Sequence, residues 1–131
     1  MASTQGHKDL KVFQRAYDRA MKIFHSSKDF PKEERYSLTD QLRRSSRGVC
    51  TNIAEAYRKR HYPKMFVSKL SDSDAEVAET QVWLDFAHDC GYISSQFHRE
   101  SHLDYSQVGA MLGSMMLNPE CFTPTAPGKQ E

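Results

Sequence analysis

The longest regular pattern in the sequence is a heptad spacing of apolar and small residues between positions 66 and 87. Its members follow one another at intervals of four and three: Phe66, Leu70, Ser73, Val77, Thr80, Leu84 and Ala87. This spacing places one side chain per turn on a single face of an α-helix over three heptads. A helix of this kind needs other helices to cover that face, so the pattern predicts an all-α protein.

Three further segments repeat their apolar residues at helical intervals, and proline or glycine separates them. Helices are predicted over residues 9–27, 37–61, 63–90 and 95–117, with a loose tail over 119–131. Pro31 ends the first helix because it lacks an N–H, and Pro63 suits the first position of the third. We predict one domain, residues 1–131, folded as an antiparallel up-down-up-down four-helix bundle.

Local signals mark several helix ends. The segment Ser37-Leu38-Thr39-Asp40 resembles a capping box in which aspartate replaces the usual glutamate. Gly91 suits the left-handed residue that closes a helix. Ser94 or Ser95 is predicted to cap the fourth helix.

The same periods predict which side of each helix is buried. The first helix is predicted to bury Leu10, Phe13, Tyr17, Ala20 and Phe24, with Val12, Ala16 and Ile23 beside them. The second is predicted to bury Leu38, Leu42, Val49, Ile53 and Ala56, with Cys50 and Tyr57 at the edge. The fourth is predicted to bury Phe97, Tyr105, Val108, Leu112 and Met115.

Charge is nearly balanced overall but unevenly distributed along the chain. The sequence carries 18 Lys and Arg against 17 Asp and Glu. Residues 1–64 hold 15 basic and 7 acidic residues, whereas residues 65–131 hold 3 and 10. This asymmetry indicates either a nucleic-acid-binding surface on the first half or two halves that attract each other.

The second helix presents its arginines on the side opposite its apolar residues. We predict that the nucleic-acid-binding residues are Arg43, Arg44, Arg47, Arg58, Lys59, Arg60 and Lys64. Tyr57 and Tyr62 are candidates for stacking on bases. The alternative is that these cations are a solvated helix end or pair with acidic neighbours.

Small and polar residues interrupt the second helix. Ser45, Ser46, Gly48 and Thr51 lower helix propensity, which predicts close approach of a neighbouring helix there. Asn52 and Glu55 are assigned structural roles. We expect Asn52 to bond to another helix or a buried carboxylate, and Glu55 to pair with Arg58 or Lys59.

The third helix carries acidic and apolar residues away from its heptad seam. We predict an oligomer interface that comprises Asp72, Glu76, Glu79, Val82, Trp83 and Phe86. If this face meets a different, basic or apolar face of another copy, the subunits assemble head to tail and close into a ring.

Recognisable catalytic and cofactor motifs are missing from the sequence. Cys50, Cys90 and Cys121 are odd in number and widely spaced, which indicates reduced thiols in the cytoplasm. His98 and His102 have a spacing that can hold a metal, but no glutamate follows His98 as in metalloproteases. We predict no enzymatic activity, no metal and no cofactor. Neither a signal peptide nor a membrane span is predicted.

An ordered set of short motifs runs through most of the chain. It comprises DLxVxQxA at 9–16, FPxExxYxLxxQLRR at 30–44, NIAE at 52–55, WL at 83–84 and GYI at 91–93. Together they resemble the four-helix-bundle family that includes the proteins encoded in intervening sequences of bacterial 23S rRNA genes. The accessory variability proteins of diversity-generating retroelements are similar. Arg43, Arg44, Asn52 and Glu55 carry the shared signature, whereas Ala56 stands where the family usually has glycine.

The resemblance implies an antiparallel bundle that assembles as a homopentameric barrel. It also implies a link to nucleic acid, because the retroelement members bind nucleic acid and a reverse transcriptase through positive surfaces. We therefore predict a non-enzymatic, ring-forming scaffold or accessory protein that contacts RNA or DNA phosphates. The alternative is a purely structural homo-oligomer that docks a reverse transcriptase or another protein partner and binds no nucleic acid.

Overall fold

The four long helices lie side by side and follow one another around the molecule. They are α1 (Lys11–Ser27), α2 (Leu38–Arg58), α3 (Pro63–Asp89) and α4 (Ser95–Leu117) in a computed structural model that describes residues 6–123. Each helix packs against its neighbours in sequence, and α1 also packs against α4. The predicted all-α four-helix bundle is confirmed.

Short 3₁₀ turns precede or follow three of these helices. They cover His7–Asp9, Lys32–Glu34 and Pro119–Cys121. The predicted loose tail is therefore wrong for its first residues, since a turn forms at 119–121 and the Phe122 ring lies 5.6 Å from that of Phe66. Residues 124–131 lie outside the part of the chain that the structure describes.

Two helices are shorter than predicted. α1 begins at Lys11 rather than at residue 9, after a separate turn, and α2 ends at Arg58 rather than at residue 61. Tyr62 has extended backbone angles, φ −122° and ψ 91°. The proline that follows it disfavours the helical region at this position, so α2 and α3 cannot join into one helix.

The ends of α3 and α4 are closed as predicted. Gly91 has φ +81°, and its N–H donates to the His88 carbonyl at 2.9 Å. The Tyr92 N–H donates to the Ala87 carbonyl at 2.8 Å, which completes a Schellman motif. Ser94 Oγ accepts the Phe97 N–H at 3.0 Å.

The predicted capping box at the start of α2 is wrong. The Ser37 side chain caps no backbone N–H, and its hydroxyl instead donates to Glu34 Oε1 at 2.7 Å. The same Glu34 oxygen lies 3.4 Å from the Leu38 N–H. The Glu34 carboxylate of the preceding turn therefore caps the start of α2, in place of the predicted Ser37 and Asp40 side chains.

The predicted core faces of α2, α3 and α4 are confirmed almost throughout. All seven members of the α3 seam are buried, as are the seven residues predicted on α2. On α4, Phe97 is only partly buried, and the other four predicted residues are buried. The periods of these helices therefore located both the helices and their inward sides.

The predicted seam of α1 is wrong in part. The buried positions are Val12, Ala16, Arg19, Ile23 and Ser27, so the three residues predicted beside the seam are buried. Of the five residues predicted to form the seam, Tyr17 is 53% exposed and the other four are only partly buried. The buried side of α1 is therefore rotated towards the stripe of Val12, Ala16 and Ile23.

A buried ion pair explains this rotation. Arg19 is almost fully buried, with its Nε and NH2 atoms 2.9 and 2.8 Å from Asp104 Oδ2 on α4. Its NH1 donates to Ser101 Oγ at 3.1 Å. A buried guanidinium requires such partners, and they fix the side of α1 that faces α4.

Small residues allow α2 and α3 to approach closely, as predicted. The hydroxyls of Ser45 and Thr80 lie 2.9 Å apart across the interface, and Ser73 Oγ donates to the Val49 carbonyl at 2.8 Å. A Cβ at Gly48 would lie 2.8 Å from the Glu76 carboxyl group. Thr51 does not share this role, because it is exposed.

Asp104→Asn should destabilise the fold by about 2–4 kcal/mol, because it leaves the buried Arg19 charge without its carboxylate. Asp104 retains 19% exposure, so a loss near the lower end is expected. Urea unfolding followed by helical circular dichroism at fixed protein concentration measures the change. Asp18→Asn, which breaks the exposed Asp18–Lys22 pair, is the matched control and should cost about 0.5 kcal/mol or less. An equal loss of unfolding free energy in the two variants would contradict the conclusion that the buried Arg19–Asp104 pair stabilises the fold more than an exposed pair does.

Tyr105→Phe should raise the free energy of unfolding by about 1 kcal/mol. Tyr105 is fully buried, and within residues 6–123 its hydroxyl has no hydrogen-bond partner. Removing an unsatisfied buried polar group recovers its desolvation cost and leaves the ring packing intact. The same urea titration measures this change, and a clear loss of stability would contradict the assignment.

Candidate assembly and nucleic-acid surfaces

The predicted nucleic-acid-binding residues do not form one continuous stripe. Arg43 and Arg47 lie over the ring of Phe24 on α1, with their guanidinium carbons 4.9 and 5.6 Å from its centroid. Arg43 Nε also donates to Ser27 Oγ at 2.8 Å. This side chain therefore contacts α1, whereas the position of the arginines opposite the apolar residues predicted that it faces solvent. These two arginines belong to the α1–α2 contact.

Arg44 lies on the other side of α2, towards α3. It is exposed, and its charge lowers the pKa of Glu76. Burial of the Glu76 carboxyl group and repulsion from Glu79 have the opposite, larger effect, so the pKa of Glu76 is raised overall. Arg44 therefore faces acidic residues of its own chain.

The remaining four cations form a compact group at the turn between α2 and α3. We call Arg58, Lys59, Arg60 and Lys64 the turn cluster. Arg58 and Lys64 are exposed, whereas Arg60 stacks on Tyr57 at 4.0 Å and donates to its carbonyl at 2.9 Å.

The two tyrosines near the turn cluster differ in their environment. Tyr57 is buried, so its predicted role in base stacking is wrong. Tyr62 is exposed beside the cations and offers a free ring. The turn cluster therefore combines four positive charges with one accessible aromatic side chain.

An apolar groove runs between α1 and α2. We call it the α1–α2 groove; its volume is about 400 Å³, and its lining includes Phe13, Tyr17, Met21, Phe24, Arg47 and Ala54. Tyr17 and Met21 are exposed. This surface was not predicted, because the helical period of α1 placed Phe13, Tyr17 and Phe24 in the core. The second apolar stripe of α1, Val12-Ala16-Ile23, was the available signal.

The predicted oligomer interface on α3 presents exposed apolar side chains beside acids. Val82 and Phe86 are about half exposed, and the Trp83 and Phe86 rings lie 5.9 Å apart. Trp83 Nε1 donates to Glu79 Oε2 at 3.1 Å, which joins the acidic and aromatic parts. We call Glu79, Val82, Trp83 and Phe86 the α3 face.

The other two predicted members of this interface contact their own chain. Asp72 lies 3.6 Å from Lys69, and Glu76 is partly buried over Gly48 of α2. These contacts place Glu76 towards the α2–α3 interface. The outer part of the predicted surface is therefore smaller and more apolar than its sequence suggested.

Asn52 and Glu55 make contacts that differ from those predicted, and only Glu55 reaches from α2 to α3. Asn52 Nδ2 donates to the Gly48 carbonyl of its own helix at 2.9 Å, rather than to another helix. Glu55 pairs with Lys69 across the α2–α3 interface at 2.7 Å, rather than with Arg58 or Lys59. The hydrogen bond that Lys69 donates to Glu55 raises the pKa of Lys69.

His98 and His102 do not stand alone on α4. Their Nε2 atoms lie 2.7 and 2.9 Å from the same oxygen, Oδ1 of Asp85 on α3. Partial burial raises the pKa of Asp85, but the hydrogen bonds from both imidazoles bring that pKa below its ordinary value. Spacing along α4 revealed the two histidines, whereas only the packing of α3 against α4 reveals the aspartate.

Among residues 6–123, the helices lack the combination of length and apolar composition that a bilayer-spanning segment requires.

Comparison with known proteins gives a family and a related fold. Residues 8–114 match the family model described as 23S rRNA-intervening sequence protein. A crystal structure of a protein of unknown function from the S23 ribosomal protein family of Bacteroides thetaiotaomicron superposes with a TM-score of 0.72 at 24% identity. The alignment covers 80% of this chain and 97% of that one.

No curated protein matches the chain significantly. Neither the family description nor that of the related structure names an enzymatic activity. Because the family match covers most of the chain and the bundle agrees with a solved structure, the protein belongs to the 23S rRNA-intervening sequence protein family.

Proposed function

We propose that the protein is a non-enzymatic scaffold that assembles head to tail with copies of itself and binds RNA or DNA through phosphate contacts. The observation that carries the assembly step is a pair of exposed apolar surfaces on different helices with opposite charge at their borders. The α1–α2 groove is bordered by Arg43 and Arg47, and the α3 face carries Glu79.

The chemistry of the two surfaces supports their pairing. Trp83 and Phe86 are large, partly exposed aromatic side chains, and such residues dominate the energetics of protein interfaces. The groove offers Tyr17, Met21 and Phe24 as apolar partners. Arginines at its rim meet the carboxylate beside Trp83, which favours the correct orientation.

Pairing between two different surfaces produces a directional assembly. An open assembly then has a free groove on the subunit at one end and a free α3 face on the subunit at the other end. The assembly closes into a ring when the rotation between subunits permits it. A ring of five is the state that the family resemblance implies, and it stays a prediction.

The turn cluster supplies the proposed nucleic-acid contact. It lies at the end of the bundle where α2 meets α3, and none of its four residues belongs to the α1–α2 groove or the α3 face. A ring repeats this cluster once per subunit, which raises the local positive potential far above that of one nearly neutral chain. The family description, which refers to 23S rRNA, makes RNA the first candidate.

The alternative is an oligomer that docks a protein partner and binds no nucleic acid. The intrachain contacts of Arg43, Arg44 and Arg60 favour this candidate, because they leave fewer cations free for phosphates. A reverse transcriptase as that partner stays a prediction from the resemblance.

Two single substitutions should each prevent assembly, and a mixture of the two variants should restore one interface. Tyr17→Glu places a negative charge in the groove, opposite the acidic α3 face. Phe86→Arg places a positive charge on the α3 face, opposite the basic rim. Each variant alone should sediment as a monomer, whereas an equimolar mixture should form a 1:1 dimer through the two unaltered surfaces. Sedimentation velocity at micromolar concentration measures both states.

Leu117→Glu is the matched control for these variants. Leu117 is 82% exposed at the end of α4, so a charge there should leave assembly unchanged. Helical circular dichroism verifies that each variant is folded. An oligomer that survives both substitutions, or a mixture that stays monomeric, would contradict the head-to-tail arrangement.

The double variant Arg58→Glu/Lys64→Glu should bind a structured RNA hairpin more weakly and with a smaller salt dependence. The slope of log affinity against log salt should fall by about 1.5–2 for each subunit in contact, because two phosphate contacts are lost. Fluorescence anisotropy over a salt series measures the slope. The assembly should persist, since neither residue borders the groove or the α3 face.

Lys11→Glu/Lys22→Glu is the control for net charge. It makes the same change in charge on α1, away from the turn cluster, and should preserve most of the salt slope. Equal effects of the two double variants would indicate a general charge effect. Failure of the wild-type ring to bind RNA or duplex DNA at low salt would favour the protein-docking alternative.

A further inference from the structure

A cluster of three metal-ligating side chains joins α3 to α4 near the Gly91 turn. It comprises Asp85 on α3 and His98 and His102, one turn apart, on α4. Their potential ligand atoms all lie within 4.8 Å of one another. Asp85 adjoins the α3 face, but the three residues belong neither to the assembly surfaces nor to the turn cluster, so neither proposed activity accounts for the cluster.

The direction of the side chains is the central observation. Both imidazole Nε2 atoms approach a single carboxylate oxygen, at 2.7 and 2.9 Å. Asp85 is about half exposed, whereas His98 and His102 retain a quarter to a third of their side-chain exposure. The three groups therefore converge at a shallow, solvent-accessible position rather than in the core.

The spacing of these atoms suits a small divalent cation. In a tetrahedral zinc site with bonds of about 2.0–2.2 Å, neighbouring ligand atoms lie about 3.3–3.5 Å apart. The N–O distances here need to lengthen by about half an ångström to reach that spacing, and the two Nε2 atoms, which lie within 4.8 Å of each other, need to adopt it as well. Small side-chain rotations supply such shifts. Zinc binding requires the imidazole tautomer with its proton on Nδ1, so that Nε2 presents a lone pair to the ion.

A third histidine limits the freedom of the cluster. The His88 ring stacks on that of His98 with centroids 4.5 Å apart. His88 is itself held between Asp89 Oδ1 at 3.0 Å and Ser95 Oγ at 3.1 Å. This stack restricts the orientation of the His98 ring, and restricted ligands bind a metal with a smaller loss of conformational entropy.

We propose that Asp85, His98 and His102 bind one Zn²⁺ ion per chain, with the fourth position left to water. Two imidazoles and a carboxylate form a ligand set that zinc accepts, and the set leaves an open coordination position. The ion links α3 to α4 beside the turn that connects them. Binding therefore stabilises the folded hairpin in proportion to the free zinc concentration.

The full-length chain, stripped of metal with a chelator and dialysed, is titrated with Zn²⁺ in a calorimeter. Exposed Cys90 and Cys121 are replaced by serine in every sample, so that these two thiols contribute no binding. We expect one ion per chain and a rise in the melting temperature on zinc addition. Titration with Co²⁺ should produce the visible absorption of a low-symmetry nitrogen and oxygen site.

Asp85→Asn and His102→Gln each remove one zinc ligand. Each should weaken zinc binding by about 100-fold or more, since losing a residue that only supports a ligand already costs about 10–100-fold in affinity. Both should also abolish the zinc-dependent rise in melting temperature. His88→Gln is the matched control, because it removes a neighbouring imidazole outside the ligand set. It should weaken binding far less than the ligand variants.

Three outcomes would overturn the proposal. They are absence of stoichiometric binding by the folded wild-type chain, equal loss in His88→Gln and His102→Gln, and full binding by both ligand variants. The first outcome assigns the cluster to hydrogen bonds alone. The Cys90→Ser/Cys121→Ser protein and the Tyr17→Glu variant both retain Asp85, His98 and His102. Zinc binding can therefore be tested whether or not the protein assembles.

Discussion

The burial of Arg19 determines what the rest of the surface presents. Its guanidinium can lie inside the bundle only where a carboxylate and a hydroxyl meet it, and Asp104 and Ser101 of α4 supply them. This contact rotates the buried side of α1 towards Val12, Ala16 and Ile23. Tyr17 is then exposed, Phe13 and Phe24 are only partly buried, and these side chains line the α1–α2 groove.

The interface between α2 and α3 rests on a different principle. Small side chains bring the two backbones close together, and short hydrogen bonds such as Ser73 to Val49 satisfy the polar groups that this approach buries. Because the hydroxyls pair only at particular levels along the helices, they fix the register as well as the distance. The Glu55–Lys69 pair adds a further cross-helix contact on the outside.

Sequence periodicity was sufficient where one apolar stripe ran the length of a helix. The α3 seam was predicted in full because its spacing persists from Phe66 to Ala87, whereas the α3 face occupies only the last turns of that helix. Periodicity was insufficient on α1, where two adjacent stripes offer two rotations, and the choice depends on Asp104, 85 residues away. For the same reason, the sequence indicated His98 and His102 but not Asp85 as their partner. The spacing of residues along one helix carries no information about the helix packed against it.

The short motifs that resemble the family include contacts that hold the frame, although Arg43 and Trp83 also belong to the proposed assembly surfaces. Phe30 packs on Tyr92 with ring centroids 5.4 Å apart, and the Tyr92 hydroxyl donates to Glu34 at 2.9 Å. The hydrogen bond to Glu34 raises the pKa of Tyr92 to about 12, and the hydrogen bonds from Ser37 and Tyr92 lower the pKa of Glu34. They join the α1–α2 connection to the α3–α4 connection at one end of the bundle.

The turn cluster lies at the opposite end, at the connection between α2 and α3. In an antiparallel bundle, alternate connections share an end, so the motif contacts and the basic turn are separated by the length of the helices. The charge of the turn cluster can therefore change without disturbing the motif contacts. Family membership thus accounts for the bundle, whereas the proposed nucleic-acid contact depends on turn-cluster residues outside the shared motifs.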